Sequence, residues 1–455
     1  MTARHLLPLA CTTALALGSG ISLAHSAPRG SRAVFASEAD TQSVIVGFRG
    51  SATRADRARA EHATGTAYQD ALPGGTQQLR IVANHDVDST LVRLRKQPNV
   101  QYAIPNYRVH ASDFVPNDPG FGGSAGWEKV QWNFVGPNSV NAPGAWATAI
   151  HDGAAGGRGV TIAEIDSGVA FENRGGARRS PDLARGSFVA PWDFLRNNRH
   201  PDDLEGHGTH VASTLVEETN NGIAVTGLAY NAHVMPLRVL DANGNGDGAT
   251  VARAIRYAVK HHARVINMSV EFDTTVHAAD IPDVLGAMRY AYNHGVVMVA
   301  ASGNEGRGTV SYPAASRYAI AVGASTADGC LADYSNYGTG LALVAPGGGS
   351  DGPFTDDAYD SAHCNPNNPP REVTQETFVR NPDHFRLAGF EGTSFATPHV
   401  TAAVALLIAT HRLGRHPTPA QLRARLMATA RDVGPSGYDR RYGAGLLDIQ
   451  AALAP

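Results

Sequence analysis

The chain has 455 residues, 43% hydrophobic and 17% charged, so it is long enough for two or three domains and apolar enough for sizeable cores. Lys and Arg number 38 and Asp and Glu 41, which gives a formal net charge of -3. This composition excludes a globally disordered chain, and it lacks the basic excess typical of nucleic-acid binding.

The first 26 residues have the pattern of an export signal. A short polar start precedes an apolar run over 6–17, and Ala24 and Ser26 have the small-x-small spacing that signal peptidase accepts. The run is too short for a stable bilayer span, and no later stretch approaches one. We therefore predict a signal peptide over 1–26 and a protein secreted to the periplasm or the cell exterior. The alternative is a buried helix.

Residues 41–110 have the pattern of a small α+β unit, near the lower size limit for an independent core. The order is strand, helix, strand, helix, strand. The predicted strands are Ser43–Phe48, Gln78–Val82 and Val100–Pro105, and the predicted helices are Thr53–Thr64 and Asp88–Gln97. Pro, Gly, Asn and Asp cluster over 111–125, which predicts an exposed linker.

The rest of the chain alternates apolar strands with helical patterns, which favours a mostly parallel sheet with helices on both faces. The predicted strands are Val160–Ile165, His233–Val239, Arg264–Met268, Val296–Ala301, Ala319–Val322 and Ala342–Val344. The predicted helices are Gly206–Val216, Thr250–His262, Asp280–His294, Ser394–Thr410 and Thr418–Ala430. Sites in such sheets form at the carboxyl ends of strands, where Asp166 and Asn304 lie.

Three short segments contain the residue types of nucleophilic catalysis: AEIDSGV around Asp166, EGHGTHVAS around His207 and EGTSFATPHV around Ser394. A serine hydroxyl needs an adjacent base, which a histidine can supply. An aspartate can fix the tautomer of that histidine. In this chain order the segments resemble the subtilase family, the subtilisin-like serine proteases, from about Gln131 to Ala452.

The resemblance implies a subtilisin-like three-layer α/β fold over 131–455, cleavage of peptide bonds and no catalytic cofactor. It assigns Asp166, His207 and Ser394 as the triad, and Asn304 with the Ser394 backbone N–H as oxyanion donors. Two alternatives stay open: Asn304 could be only a turn residue, and His210 could exchange roles with His207. A zinc site is disfavoured because the His-x-x-His pair lacks a third ligand.

Two departures from the family pattern bear on the active site. Phe395 follows the nucleophile, where methionine is common in the family. The segment Ser269, Val270, Glu271 and Phe272 stands where the family has a glycine-rich strand that pairs with the substrate. We expect the Glu271 and Glu305 carboxylates to make the cleft acidic and to favour a basic residue near the cut bond. The alternative is that both carboxylates are simply solvated.

The segment EETNNGIAVTGLA looks like the family loop that wraps a calcium ion. By resemblance, Gln131, Asp182 and Asn220 would supply side-chain ligands, and oxygen-only ligands suit Ca²⁺. The alternative is an Asn-Gly turn without metal.

The unit over 27–110 resembles the family's inhibitory propeptide, a ferredoxin-like α+β domain. Its tail, VQYAIPNYRVHA, would lie through the active-site cleft and be cut by the enzyme near His110–Ala111, so that 111–130 becomes the linker and mature N-terminus. The alternative is an accessory domain that stays attached.

Cysteine usage agrees with export. Cys11 lies in the predicted signal, which leaves Cys330 and Cys364 as an even pair, and we predict a disulfide between them. Cys364 lies in a long polar insertion over 347–391 that could either rim the cleft or be a surface loop.

The sequence therefore predicts a secreted, monomeric serine endopeptidase that acts on proteins or peptides and removes its own propeptide. Two other functions are compatible with the same residues. One is a catalytically silent binding protein with this fold, and the other is an esterase or transferase that uses the same acyl-enzyme chemistry.

Overall fold

The computed structural model describes residues 39–82, 86–107, 114–122, 126–353 and 364–455. The predicted signal peptide and the predicted cut near His110–Ala111 lie outside the described residues. The chain divides into two compact units, Met1–His110 and Ala111–Pro455. None of the helices in the described ranges combines the length and apolar character needed to cross a bilayer.

The first unit has the order β1 (Ala39–Phe48), α1 (Arg54–Thr64), β2 (Thr66–Ala71), β3 (Thr76–Ile81), α2 (Val87–Arg95) and β4 (Val100–Tyr107). The sheet order is β2-β3-β1-β4, and all three pairings are antiparallel. This βαββαβ connectivity is the ferredoxin-like arrangement.

Local sequence explains where α1 begins. Thr53 accepts a hydrogen bond from the Asp56 N–H at 3.2 Å, and the Asp56 side chain accepts one from the Thr53 N–H at 2.9 Å. This reciprocal capping box satisfies two of the N–H groups that a helix start leaves unpaired. Buried Val44, Val46 and Leu79 of the sheet then pack with residues of α2.

Strand β2 is absent from the sequence-based prediction, which placed one strand between the two helices. Four of its six residues are exposed, because β2 lies at the edge of the sheet. A half-covered edge strand lacks the apolar alternation that identifies a strand in a sequence.

The second unit contains a seven-stranded sheet in the order β11-β10-β9-β8-β5-β7-β6, with every pairing parallel. Its strands are β5 (Thr161–Asp166), β6 (Trp192–Asp193), β7 (His233–Arg238), β8 (Val265–Met268), β9 (Val297–Ala301), β10 (Ala319–Ser325) and β11 (Leu341–Pro346). The central strands are buried on both faces, which explains their continuous apolar runs.

Helices cover both faces of this sheet, as predicted. They are α3 (Trp127–Val130), α4 (Ala142–His151), α5 (His207–Val216), α6 (Gly248–Lys260), α7 (Pro282–Asn293), α8 (Thr393–Ala409), α9 (Pro419–Thr429) and α10 (Ile449–Leu453). Residues of α4, α5, α8, α9 and α10 share one core cluster, and residues of α6 and α7 share the other. The sheet separates the two clusters, which makes a three-layer α/β fold.

The predicted polar insertion contains a hairpin, β12 (Val373–Thr377) and β13 (Arg386–Phe390), that packs on α5. Ser213 Oγ donates to the Glu376 carbonyl at 2.8 Å, and Thr377 Oγ1 donates to the Gly206 carbonyl at 2.7 Å. The prediction missed both strands because β12 buries polar side chains, such as Gln375 and Thr377, that are typical of a loop sequence. The predicted disulfide between Cys330 and Cys364 is present.

Candidate active site

The carboxyl ends of three adjacent strands form the floor of the site. Asn304 follows β9 and Ser269 follows β8, while Asp166 is the last residue of the neighbouring strand β5. The first turns of α5 and α8 add His207 and Ser394. A cavity of about 340 Å³ is lined by both of these side chains together with Ser269 and Glu271.

Asp166 and His207 are in direct contact. His207 Nδ1 lies 2.7 Å from Asp166 Oδ1, and that oxygen also accepts the Ser167 N–H at 2.7 Å. The Asp166 side chain is 1% exposed and the His207 side chain 22%. A buried carboxylate on Nδ1 holds the proton there, which leaves Nε2 as the basic nitrogen.

The close approach of α5 to the Asp166 loop requires a glycine. A Cβ on Gly208 would lie 2.1 Å from the Gly168 carbonyl oxygen and 3.1 Å from Asp166 Oδ1. Any larger residue would push His207 away from its carboxylate.

The charges around His207 favour its protonated form. Burial by itself lowers the pKa, but the charge of Asp166, its hydrogen bond, and the charges of Glu205 and Asp203 outweigh burial and raise the pKa of His207 to about 9. Glu205 Oε2 also accepts the His207 backbone N–H at 2.7 Å. The histidine is therefore a stronger base than a free imidazole.

Ser394 is the second residue of α8, at the positive end of the helix dipole. Its Oγ lies 3.4 Å from the Ser269 carbonyl oxygen, the one described acceptor within hydrogen-bonding distance. His207 lines the same cavity, and catalytic hydrogen bonds often shorten only when substrate binds.

The Asn304 amide is fixed at both ends. Its Oδ1 accepts the Thr393 N–H at 2.8 Å and the Thr393 hydroxyl at 3.0 Å. Its Nδ2 donates to Glu271 Oε1 at 3.2 Å. The nitrogen, rather than the oxygen, is therefore on the side available to a negative charge.

Glu271 and Glu305 occupy neighbouring loops. Although much of Glu271 is exposed, partial loss of water around its carboxyl, followed by the Glu305 charge, raises the pKa of Glu271 to about 7. A Cβ on Gly303 would lie 2.8 Å from Glu271 Oε2, so this carboxyl lies against the backbone before Asn304. Glu305 is exposed and accepts a hydrogen bond from Asn336 Nδ2.

The other buried histidines and Phe395 have structural contacts. His210 Nε2 lies 3.0 Å from the Val373 carbonyl oxygen, and burial lowers the pKa of His210 to about 3. His399 Nδ1 lies 2.9 Å from the Phe395 carbonyl oxygen, and burial lowers the pKa of His399 to about 4. The Phe395 ring lies 5.0 Å from the His207 ring and is 5% exposed.

Glu164 is a buried carboxyl two residues before Asp166 on β5. It is 1% exposed, and neither of its carboxyl oxygens has a hydrogen-bond partner among the described residues. Burial, followed by the charges of Asp166 and Asp203, raises the pKa of Glu164 well above its usual value. Burial among negative charges therefore favours the neutral form of the Glu164 carboxyl.

The three predicted calcium ligands have separate contacts. Gln131 Oε1 accepts the Thr226 N–H at 3.0 Å, and Asn220 Oδ1 accepts the Asn117 N–H at 3.1 Å. Asp182 Oδ1 accepts from Asn221 Nδ2 at 2.7 Å. The asparagine next to Asp182 is thus Asn221. Within the described ranges, no group of three or more His, Cys, Asp or Glu side chains is arranged to hold a metal.

The surroundings of Asp182 carry surplus negative charge. Burial, followed by the charges of Glu376 and Asp118, raises the pKa of Asp182 to about 8. Glu217 is fully buried, and burial together with the charges of Asp182 and Glu376 raises its pKa well above the usual value. Hard oxygen atoms and buried negative charge are chemically suited to Ca²⁺.

Sequence reasoning missed several residues that shape the site. Thr393, Glu205 and Glu164 each lie within two residues of a predicted catalytic residue. Proximity in the chain was the available signal, but the Thr393–Asn304 contact joins residues 89 positions apart.

Comparison with known proteins agrees with this architecture. Residues 157–445 match the subtilase family model, and residues 39–106 match the model of the fervidolysin N-terminal prodomain. A thermophilic serine proteinase from Bacillus sp. (strain AK1) is 32% identical over 400 residues, which cover 88% of this chain and 84% of that protein.

Two further relatives support the same assignment. Thermitase from Thermoactinomyces vulgaris is 32% identical over 324 residues, covering 71% of this chain and 94% of that protein. A solved protease structure from Pseudoalteromonas arctica PAMC 21717 superposes with a TM-score of 0.59 at 26% identity, covering 75% of this chain and 99% of that one. The chain therefore belongs to the subtilase family, as a subtilisin-like serine protease with an N-terminal prodomain.

Proposed function

We propose that the protein is a secreted endopeptidase in which Asp166, His207 and Ser394 form the catalytic triad. The 2.7 Å contact between Asp166 Oδ1 and His207 Nδ1 is the main support, because it fixes the base whose ring faces the cavity shared with Ser394. Asn304, fixed by Thr393, would donate to the oxyanion together with the Ser394 N–H.

The reaction follows from these positions. Ser394 Oγ attacks the peptide carbonyl carbon while its proton passes to His207 Nε2, and the carbonyl oxygen becomes the oxyanion. The C–N bond then breaks, and the same proton goes to the leaving amine. Water repeats the sequence on the acyl-enzyme, which releases the carboxylic acid and restores the serine.

We propose the precursor organisation from the sequence: a signal peptide over 1–26, an inhibitory propeptide over 27–110, a linker and mature N-terminus over 111–130, and the peptidase domain over 131–455. The division into units at residues 110 and 111 supports this boundary. The match of residues 39–106 to a subtilase prodomain supports the propeptide assignment.

We propose that the segment Ser269, Val270 and Glu271, with Glu305, binds the substrate and prefers a basic residue next to the cut bond. Ser269, Val270 and Glu271 line the cavity beside Ser394. The paired carboxylates would attract a cation more strongly than either one alone.

We further propose a structural calcium ion held by side-chain oxygens of Gln131, Asp182 and Asn220. Such an ion would neutralise the buried carboxylates and stabilise the fold. It would have no part in the chemical steps.

The decisive experiment uses two purified precursors, wild type and Ser394→Ala, followed by intact mass after incubation with calcium. We expect the wild type to lose a fragment that ends near His110 while the variant stays intact. Casein hydrolysis by the matured wild type alone would confirm peptidase activity. Ester turnover without peptide cleavage would favour the esterase alternative, and inactivity in every assay would favour a silent binding protein.

A further inference from the structure

Glu271 contacts the group that would stabilise the transition state. Its Oε1 accepts a hydrogen bond from Asn304 Nδ2 at 3.2 Å, while both acceptor bonds of Asn304 Oδ1 come from Thr393. A side-chain amide nitrogen carries two hydrogens. One is committed to Glu271, and the other remains for the substrate oxygen.

This arrangement has two opposing consequences. The contact holds the amide plane, so the second hydrogen is positioned before substrate binds, which favours catalysis. The carboxylate, however, is a negative charge near a developing negative charge. An oxyanion on the second hydrogen would lie about 5 Å from Glu271 Oε1, well within the range of direct Coulomb repulsion.

A cation beside Glu271 would remove the repulsion and leave the positioning intact. Glu271 lines the cavity that contains Ser394, so a long basic side chain extending from the attacked carbonyl can reach the carboxylate. Glu305 adds a second carboxylate near Glu271, so the attraction of a basic substrate side chain to this place is stronger.

We propose that Glu271 is a positioning residue for Asn304 that couples the charge of the acyl-side residue, whose carbonyl is attacked, to the strength of the oxyanion site. A substrate with Lys or Arg at this position neutralises Glu271 and is acylated fast. With an uncharged residue of the same length, the Glu271 carboxylate stays ionised and repels the oxyanion. Selectivity then arises mainly in kcat, because the repulsion exists only in the transition state.

This inference rests on the proposed peptidase function, and the test separates the two. Matched peptides that differ only in Lys or Met at the acyl side are cleaved by wild type, Glu271→Gln and Glu271→Ala. Glutamine retains the acceptor oxygen and removes the charge, whereas alanine removes both. For wild type we expect kcat for Lys to exceed kcat for Met by about tenfold.

In E271Q the ratio of the two kcat values should fall to about one, with the kcat for Met rising. In E271A both kcat values should fall, because the amide is no longer held, by about tenfold. In an Asn304→Ala background, Glu271→Ala should have no further effect on kcat. Exposed Glu128, changed to Gln, is the matched control and should leave the ratio unchanged.

Two results would overturn the inference. One is an E271Q enzyme in which only KM for the Lys peptide changes, since Glu271 would then be a binding group without influence on the oxyanion. The other is an E271A enzyme with wild-type kcat for both peptides. If no wild-type cleavage occurs at all, the proposed function itself fails. Thermal unfolding of each variant identifies a folding defect. If E271A does not fold, the ratio of kcat values for the Lys and Met peptides in E271Q still tests the role of the charge.

Discussion

Pro398 lies four residues after Ser394 in α8, so the Ser394 carbonyl lacks the N–H donor that a regular helix would provide. Ser269 Oγ takes that place and donates to the Ser394 carbonyl at 2.7 Å. The interruption of the helix therefore joins the nucleophile helix to the end of β8. A proline inside a buried helix is costly, and here it gives Ser394 a second fixed contact.

We expect Ser269→Ala to leave the buried Ser394 carbonyl unpaired, to destabilise the protein by about 1–3 kcal/mol and to lower kcat. Pro398→Ala restores the helical donor, so in that background the same serine substitution should cost less. Urea unfolding of the four proteins measures the coupling. Additive effects would show that Ser269 does not replace the missing helical bond.

The acid limb of the pH profile of kcat/KM, where activity rises with pH, should lie at high pH. In the proposed mechanism His207 is a base only when it is neutral. Nearby carboxylates raise its pKa to about 9, so activity should rise as pH approaches that value. Glu205→Gln removes one of these charges and should move the limb to lower pH by roughly half a unit to one unit. Glu218→Gln should not move it. An unchanged limb in E205Q would contradict the assigned electrostatics.

Replacing Glu164 should stabilise the protein at alkaline pH. Its folded pKa is raised, so stability is lost as pH rises from the unfolded pKa near 4.5 toward the folded pKa, because ionisation of the buried carboxyl becomes an added cost of folding. Glu164→Gln, and more so Glu164→Val, should therefore gain about 1–3 kcal/mol at pH 9 relative to pH 5. Urea unfolding at both pH values tests this. Equal destabilisation at both would show that the carboxyl has partners.

Calcium should stabilise the wild type most at alkaline pH. The pKa of Asp182 is raised to about 8, so without the ion stability should fall as pH rises from about 4 through 8. Excess Ca²⁺ should reverse that loss by binding the native state. Asp182→Asn should abolish the calcium-dependent rise in Tm, and the exposed control Asp283→Asn should keep it. A Tm independent of calcium in the wild type would refute the proposed ion.

Phe395 should make the enzyme resistant to peroxide. Its ring contacts His207, where a methionine thioether could be oxidised to a polar sulfoxide. After identical peroxide treatment, we expect Phe395→Met to lose most of its activity while the wild type retains its own. Equal losses would place the sensitive group elsewhere.

The sequence alone identified the family and most of the parallel sheet, and it predicted the triad positions. Asp166, His207 and Ser394 each lie in a short motif, and buried strands such as β5 and β9 are continuous apolar runs. Both signals can therefore be read directly from the sequence. The order of the segments then identified the subtilase family. The disulfide followed from an even pair of cysteines in a chain expected to be exported.

Only the tertiary structure decided the contacts between distant segments. Thr393 at the start of α8 and Glu271 in the loop after β8 fix the Asn304 amide, and Asn221, not its neighbour, reaches Asp182. Strand β12 is polar because it packs through hydrogen bonds on α5, so its sequence resembles a loop. Such partners are chosen by folding in three dimensions, and residue type and spacing along the chain do not encode them locally.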